Sequence, residues 1–165
     1  MTRSVLLLCA LTLACPSVLC AQLVADDHQV FDQSNLGETV EANDQFGFAL
    51  AVGDAGNDGY DDLLVGIPNQ AVGGDAEAGV VALIRGGGYG LTAVGNQRWH
   101  EGRDGTPGGA QPGDHFGAAV AFADVTGDGR DDLLIGAILA DPRRDPTSDV
   151  QSGGEAYLIY GSAVP

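Results

Sequence analysis

The sequence predicts an all-β chain made of two copies of one four-stranded unit, and three observations carry that expectation. The stretch Asp54-Ala55-Gly56-Asn57-Asp58-Gly59-Tyr60-Asp61-Asp62 returns later as Asp124-Val125-Thr126-Gly127-Asp128-Gly129-Arg130-Asp131-Asp132. Large apolar residues alternate with small ones just before each copy, which is the period of a strand with two unlike faces. Beyond the first 20 residues, no stretch carries the apolar stripe of period 3.6 that a helix needs.

The elements follow in order. Met1 to Cys20 reads as a signal peptide: one positive charge at Arg3, then an apolar run, then small residues near the end. Lipidation at Cys15 is the alternative, opposed by Thr12 where a large aliphatic residue is usual. The segment 21–165 is then the folded part. An outer strand is expected at about 28–33, around Phe31. In the first repeat, about 44–101, the first strand holds Phe46, Phe48, Leu50 and Val52, with Ala49 and Ala51 on its other face. Alanines there suggest a second sheet approaching closely. Leu63 to Ile67 is a short continuous apolar run, as in strands covered on both faces. Val80 to Ile84 is a third strand, and the segment ending at Trp99 a fourth.

The second repeat, about 114–161, retraces this path. Phe116, Val120 and Phe122 alternate with Ala119 and Ala121, Leu133 to Ile138 follows, and Ala156 to Tyr160 closes it. Gly79 to Ile84 aligns with Glu155 to Tyr160. The stretches 69–78, 102–112 and 141–153 are rich in Gly, Pro and Asp and read as surface loops. Short strands in a unit that cannot bury both faces alone follow the logic of a β-propeller blade.

Charge narrows the partners. The net charge is −16 and the chain has no lysine. A surface this acidic repels nucleic acid and anionic lipid. All three cysteines, Cys9, Cys15 and Cys20, lie in the leader, so the remainder has neither disulfides nor a thiolate zinc site. For an exported chain without disulfides, calcium is the alternative staple, and extracellular sites bind in the range of about 0.1–1 mM.

The repeated loops supply the donors. Counting the first Asp as position 1, positions 1, 5 and 9 are aspartate in both copies: Asp54, Asp58 and Asp62, then Asp124, Asp128 and Asp132. Calcium takes six to eight oxygens, which alternate side chains plus a backbone carbonyl provide. Position 6 is glycine, Gly59 or Gly129, which permits a sharp turn. The carbonyls of Tyr60 and Arg130, at position 7, are the expected main-chain ligands. Position 12 is apolar (Val65, Ile135), which excludes a helix–loop–helix site and leaves a turn between antiparallel strands. At position 3, Thr126 offers a hydroxyl and Gly56 no side-chain oxygen, so the first loop is expected to bind more weakly. Asp61 and Asp131, at position 8, read as turn-stabilising or outer-shell groups.

Nothing points to catalysis. His28, His100 and His115 form no metal-binding pattern, and no Gly-x-Ser-x-Gly elbow is present. Gly86-Gly87-Gly88 opens no helical pattern, so a phosphate cradle is disfavoured.

The combination Phe-Gly, then Asp-x-x-x-Asp-Gly-x-Asp-Asp-Leu-Leu, then Gly66-Ile67-Pro68 or Gly136-Ala137-Ile138 resembles FG-GAP repeats, the blades of the integrin α-chain propeller and of many secreted bacterial proteins. The likeness covers about residues 28–161. It implies a seven-bladed propeller with calcium on hairpin loops and partner binding by loops at one face. Ile138 departs from the family's proline, and Gly56 from its usual Asn or Asp. Two repeats cannot close such a ring, so an incomplete propeller is expected, completed by self-association or belonging to a truncated product. The function implied is a secreted, periplasmic or cell-surface calcium-binding module that mediates protein or glycan interaction, such as cell adhesion, without catalysis. The alternatives are an accessory propeller segment of a secreted hydrolase or lyase, or a fragment of a longer adhesin-like protein.

Overall fold

The computed structural model describes residues 28–103, 105–141 and 153–161. The leader and most of the loop 141–153 lie outside the described residues. The elements are β1 (Ala49–Gly53), β2 (Asp62–Ile67), β3 (Val80–Arg85), β4 (Thr92–Trp99), β5 (Phe116–Ala123), β6 (Asp132–Ala137) and β7 (Glu155–Ile159). They form two antiparallel sheets, ordered β1-β2-β3-β4 and β5-β6-β7. No helix among the described residues is long and apolar enough to cross a membrane.

The two sheets are copies of one another, laid face to face. Ala51, Leu64, Val81 and Leu83 of the first meet Phe116, Leu133, Ile135 and Tyr157 of the second in one apolar cluster, which Trp99 also joins. The Phe116 and Tyr157 rings sit 5.1 Å apart at 60°, a tilted contact that aromatic quadrupoles favour. Close approach depends on glycine. A Cβ placed on Gly66 would lie 2.0 Å from the Gly117 carbonyl oxygen, and Gly117 itself holds φ 88. Backbone bonds tie the sheets at one end, from Gly113 to Ala76, His115 to Glu77 and Phe116 to Ala78, at 2.9–3.0 Å. A second apolar cluster, with Val65, Ile67, Ala82 and Ile84, lies on the far face of the first sheet under Phe31 and Leu36.

Three expectations are corrected. Residues 28–32 form no strand; they lead into a 3-10 turn at Gln33–Leu36. The Asp32 carboxylate accepts from the Ser34 amide at 2.8 Å, and the Asn35 side chain accepts from the Asp32 amide at 2.7 Å. This reciprocal cap gives the backbone local partners, so it curls instead of extending. The alignment of the third strands is also off by one. Leu63 pairs with Ile84 and Leu133 with Ile159, so Ile84 corresponds to Ile159, and Arg85 to Tyr160. A slip of one residue exchanges faces, which is why Tyr157 points into the core where Ala82 stands in the first repeat. Finally, β2 is covered on both faces as its run suggests, whereas β6 is not. Leu134 and Gly136 are only half-buried, and the second sheet has three strands among the described residues.

Candidate cation-binding loops

The repeated loops connect β1 to β2 and β5 to β6, so both occupy the same end of their sheets. Each turns at its glycine in position 6, with φ 85 at Gly59 and φ 86 at Gly129, a left-handed conformation that glycine adopts without strain. The first carboxylate of each loop faces inward onto the loop's own amides. Asp54 accepts from Asp58 at 3.0 Å and Gly59 at 2.8 Å. Asp124 accepts from Gly127 at 2.7 Å, Asp128 at 3.1 Å and Gly129 at 2.9 Å, with the Thr126 hydroxyl at 3.4 Å. The Gly129 hydrogen bond, helped by those of Gly127, Asp128 and Thr126 and opposed by desolvation, holds the Asp124 carboxyl below the usual aspartate value. Position 5 is alike in both loops, with Asp58 accepting from the Tyr60 amide at 3.0 Å and Asp128 from the Arg130 amide at 2.9 Å.

Position 9 separates the two loops. Asp62 and Asp132 are each 1% exposed, and both accept a backbone N–H from the end of the neighbouring strand: Gly86 at 2.8 Å and Gly161 at 2.8 Å. The second oxygen differs. Asp62 binds the Arg85 guanidinium at 3.0 Å, whereas Asp132 accepts from the Val125 amide at 3.0 Å. Arg85 also reaches over position 3. A Cβ on Gly56 would lie 3.0 Å from its Nη1, so the missing side chain leaves room for the guanidinium. The second loop has Tyr160 in place of Arg85 and Thr126 in place of Gly56. Among the described residues its only arginine ion pair is Arg130 on Asp128, at a long 3.5 Å on the exposed side.

Among the described residues, no group of three or more His, Cys, Asp or Glu side chains is gathered as a metal centre. The predicted ligands therefore stand as amide-satisfied turns. The donor chemistry nonetheless fits a hard cation in the second loop, where Asp124, Thr126 and Asp128 offer oxygens on one exposed turn. In the first loop a fixed positive charge already lies against Asp62, beside position 3. The position-7 residues whose carbonyls were expected as main-chain ligands are the exposed Tyr60 and the half-buried Arg130. The histidines are apart: the His115 Nδ1 is 3.1 Å from the Asn69 amide oxygen, and the His100 ring bonds the Glu101 carbonyl.

Sequence reasoning missed two residues. Arg85 was readable, because pairing Leu63 with Ile84 sets it opposite Asp62. Asp131 is more than a turn residue. Its carboxylate accepts from the Asp54 amide at 2.9 Å while its own amide donates to the Asp54 carbonyl at 3.2 Å, fastening one loop to the other.

Comparison with known proteins follows this geometry. The FG-GAP repeat profile matches residues 46–84 and 116–159, one hairpin-led sheet each. Phosphatidylinositol-glycan-specific phospholipase D of Bos taurus is 39% identical over 118 residues, covering 72% of this chain and 13% of that protein. Integrin alpha-PS2 of Drosophila melanogaster is 31% identical over 136 residues, 81% of this chain and 8% of its own length. Integrin alpha-5 of Xenopus laevis is 34% identical over 115 residues, 68% and 9% respectively. The chain thus spans only a small part of each of these relatives. Its two Phe-Gly-led, Asp-rich hairpins head successive antiparallel sheets, and the chain belongs to the FG-GAP repeat family, its sheets being propeller-type blades in an array that is not closed.

Proposed function

We propose that this chain is a secreted or cell-surface module whose second loop takes calcium, and that it mediates protein or glycan contact without catalysis. The observation that carries the reading is the contrast at position 9 and position 3. Among the described residues, the second loop presents Asp124, Thr126 and Asp128 with no guanidinium against its buried Asp132, while in the first the buried Asp62 is paired with Arg85. Export is supported by the leader-like first 20 residues, with one positive charge at Arg3 and an apolar run behind it.

Thermal unfolding in a chelator and in calcium tests it. An ion at about a hundred times its Kd contributes about 2.7 kcal/mol, which raises Tm by roughly 10 °C for a domain of this size. Asp128→Ala is expected to abolish the rise and Asp58→Ala to leave most of it. No rise in the unaltered chain removes the calcium reading. The second reading, an accessory segment of a hydrolase, is favoured by the likeness to a phospholipase D. Loop substitutions that leave binding of any partner intact while altering the activity of a hydrolase carrying this segment would favour it.

A further inference from the structure

Among the described residues the outer face of the second sheet is uncovered, and the outer face of the first is open along β1 while Phe31 and Leu36 lie over β2 and β3; these two faces repeat the two halves of the interface that holds the array together. Within the chain, the face with Ala51, Leu64, Gly66, Val81 and Leu83 packs on the face with Phe116, Phe122, Leu133, Ile135 and Tyr157. On the outer face of the second sheet, the strand registers put Ala121, Leu134, Gly136, Ala156 and Leu158 in the places of the first set. That face is open, with an apolar depression of about 320 Å³. On the outer face of the first sheet, Val52, Leu63, Val65 and Ala82 take the places of Phe122, Leu133, Ile135 and Tyr157. Here Phe48, Leu50 and Val52 are 59–63% exposed.

We propose that copies of this chain associate head to tail, the outer face of the second sheet of one copy docking on the outer face of the first sheet of the next. Three details fit a second copy. Inside the chain, Gly53 makes room for Phe122, since a Cβ there would lie 2.6 Å from the ring. Across copies the pair becomes Ala123 against Val52, a larger residue facing a smaller one. The close glycine contact of Gly66 with Gly117 has its counterpart in Gly136 and Gly47, and a Cβ on Gly136 would meet nothing beyond its own neighbour Ala119. The clamp made by Asp131 on the Asp54 amide has its counterpart in Asp61, which is exposed and has no partner among the described residues, and in the Asp124 amide of the next copy.

Phe31 completes the match. It packs on the outer cluster of the first sheet as Trp99 packs on the cluster between the sheets. In the first sheet Trp99 ends the fourth strand, and β7 has no strand on its outer side among the described residues. Residues 28–32 of one copy would thus lie beside β7 of the docked copy. Such an interface joins unlike patches, so it closes into a ring or runs on as a filament, according to the rotation between copies.

Sedimentation velocity of the purified chain from about 1 to 100 µM tests this, a range that detects micromolar association. The average mass is expected to rise at least twofold with concentration. Leu50→Asp and Ala121→Asp, at exposed positions on opposite outer faces, should each remain monomeric with an unchanged circular dichroism spectrum. Mixed one to one they should form a dimer and nothing larger, because each keeps one intact face. A chain that stays monomeric throughout overturns the proposal. So does assembly that survives either substitution, or a mixture that fails to pair.

Discussion

The two hairpin loops share aspartates at positions 1, 5, 8 and 9, yet they are closed by different means. In the first, the buried Asp62 meets the Arg85 guanidinium, and Gly56 leaves space for it. In the second, the buried Asp132 meets backbone amides alone among the described residues, and Thr126 adds a hydroxyl to the exposed carboxylates. A buried carboxylate needs compensation, which either a fixed side-chain cation or a set of amides can supply. The same backbone can thus compensate its buried aspartate with a side-chain cation or with amides alone. The sheets show a parallel contrast. Among the described residues, β2 and β3 of the first sheet are covered on both faces and their counterparts β6 and β7 on one, although the strands read alike.

The largest expected effect breaks the comparison at position 9. Asp62→Ala strands a largely buried guanidinium and is expected to cost about 3 kcal/mol in urea unfolding. Asp132→Ala leaves two amides unpaired and is expected to cost about 2 kcal/mol. Equal costs would mean that Arg85 reaches water and contributes nothing.

Next comes the pair of sheet glycines. Gly66→Ala drives a methyl into the Gly117 carbonyl and is expected to cost about 2–3 kcal/mol. Gly136→Ala, on the open face, is expected to change the stability of the monomer by less than about 0.5 kcal/mol. A comparable loss at both would contradict the uncovered second face.

The smallest effect sharpens the account of the second loop. The Asp124 carboxyl titrates below its ordinary value because of the Gly129 amide and its neighbours. Its contribution is therefore complete above the unfolded pKa of about 3.9, and is lost as pH falls through the lower folded value. Acid unfolding of Asp124→Asn should lack that component, and an identical acid limb in both proteins would contradict it.

Much of the fold was legible, for identifiable reasons. Alternation in Ala49 to Val52 and in Ala119 to Phe122 reports which face is which, and small Ala49 and Ala51 announce the sheet that lies against them; Phe46 to Phe48, expected in the same strand, turn before β1 begins. The left-handed glycines follow from the turn the loop must make. What was not legible depends on partners distant in sequence. The turn at Gln33–Leu36 is the exception, a local signal passed over, since Asp32 and Asn35 cap each other three residues apart. The one-residue slip at β7 is invisible without the register against β6, because Ala156 to Tyr160 is apolar on both faces. The ligand set was legible as chemistry but not as geometry. Carboxylates at the right spacing also make good acceptors for their own loop amides, and that is the arrangement adopted here.

The most direct test of the unequal loops is calorimetric titration of calcium into the chain. The account predicts heat corresponding to one ion per chain, lost in Asp128→Ala and retained in Asp58→Ala. Two sites of equal affinity, or no heat at millimolar calcium, would contradict it.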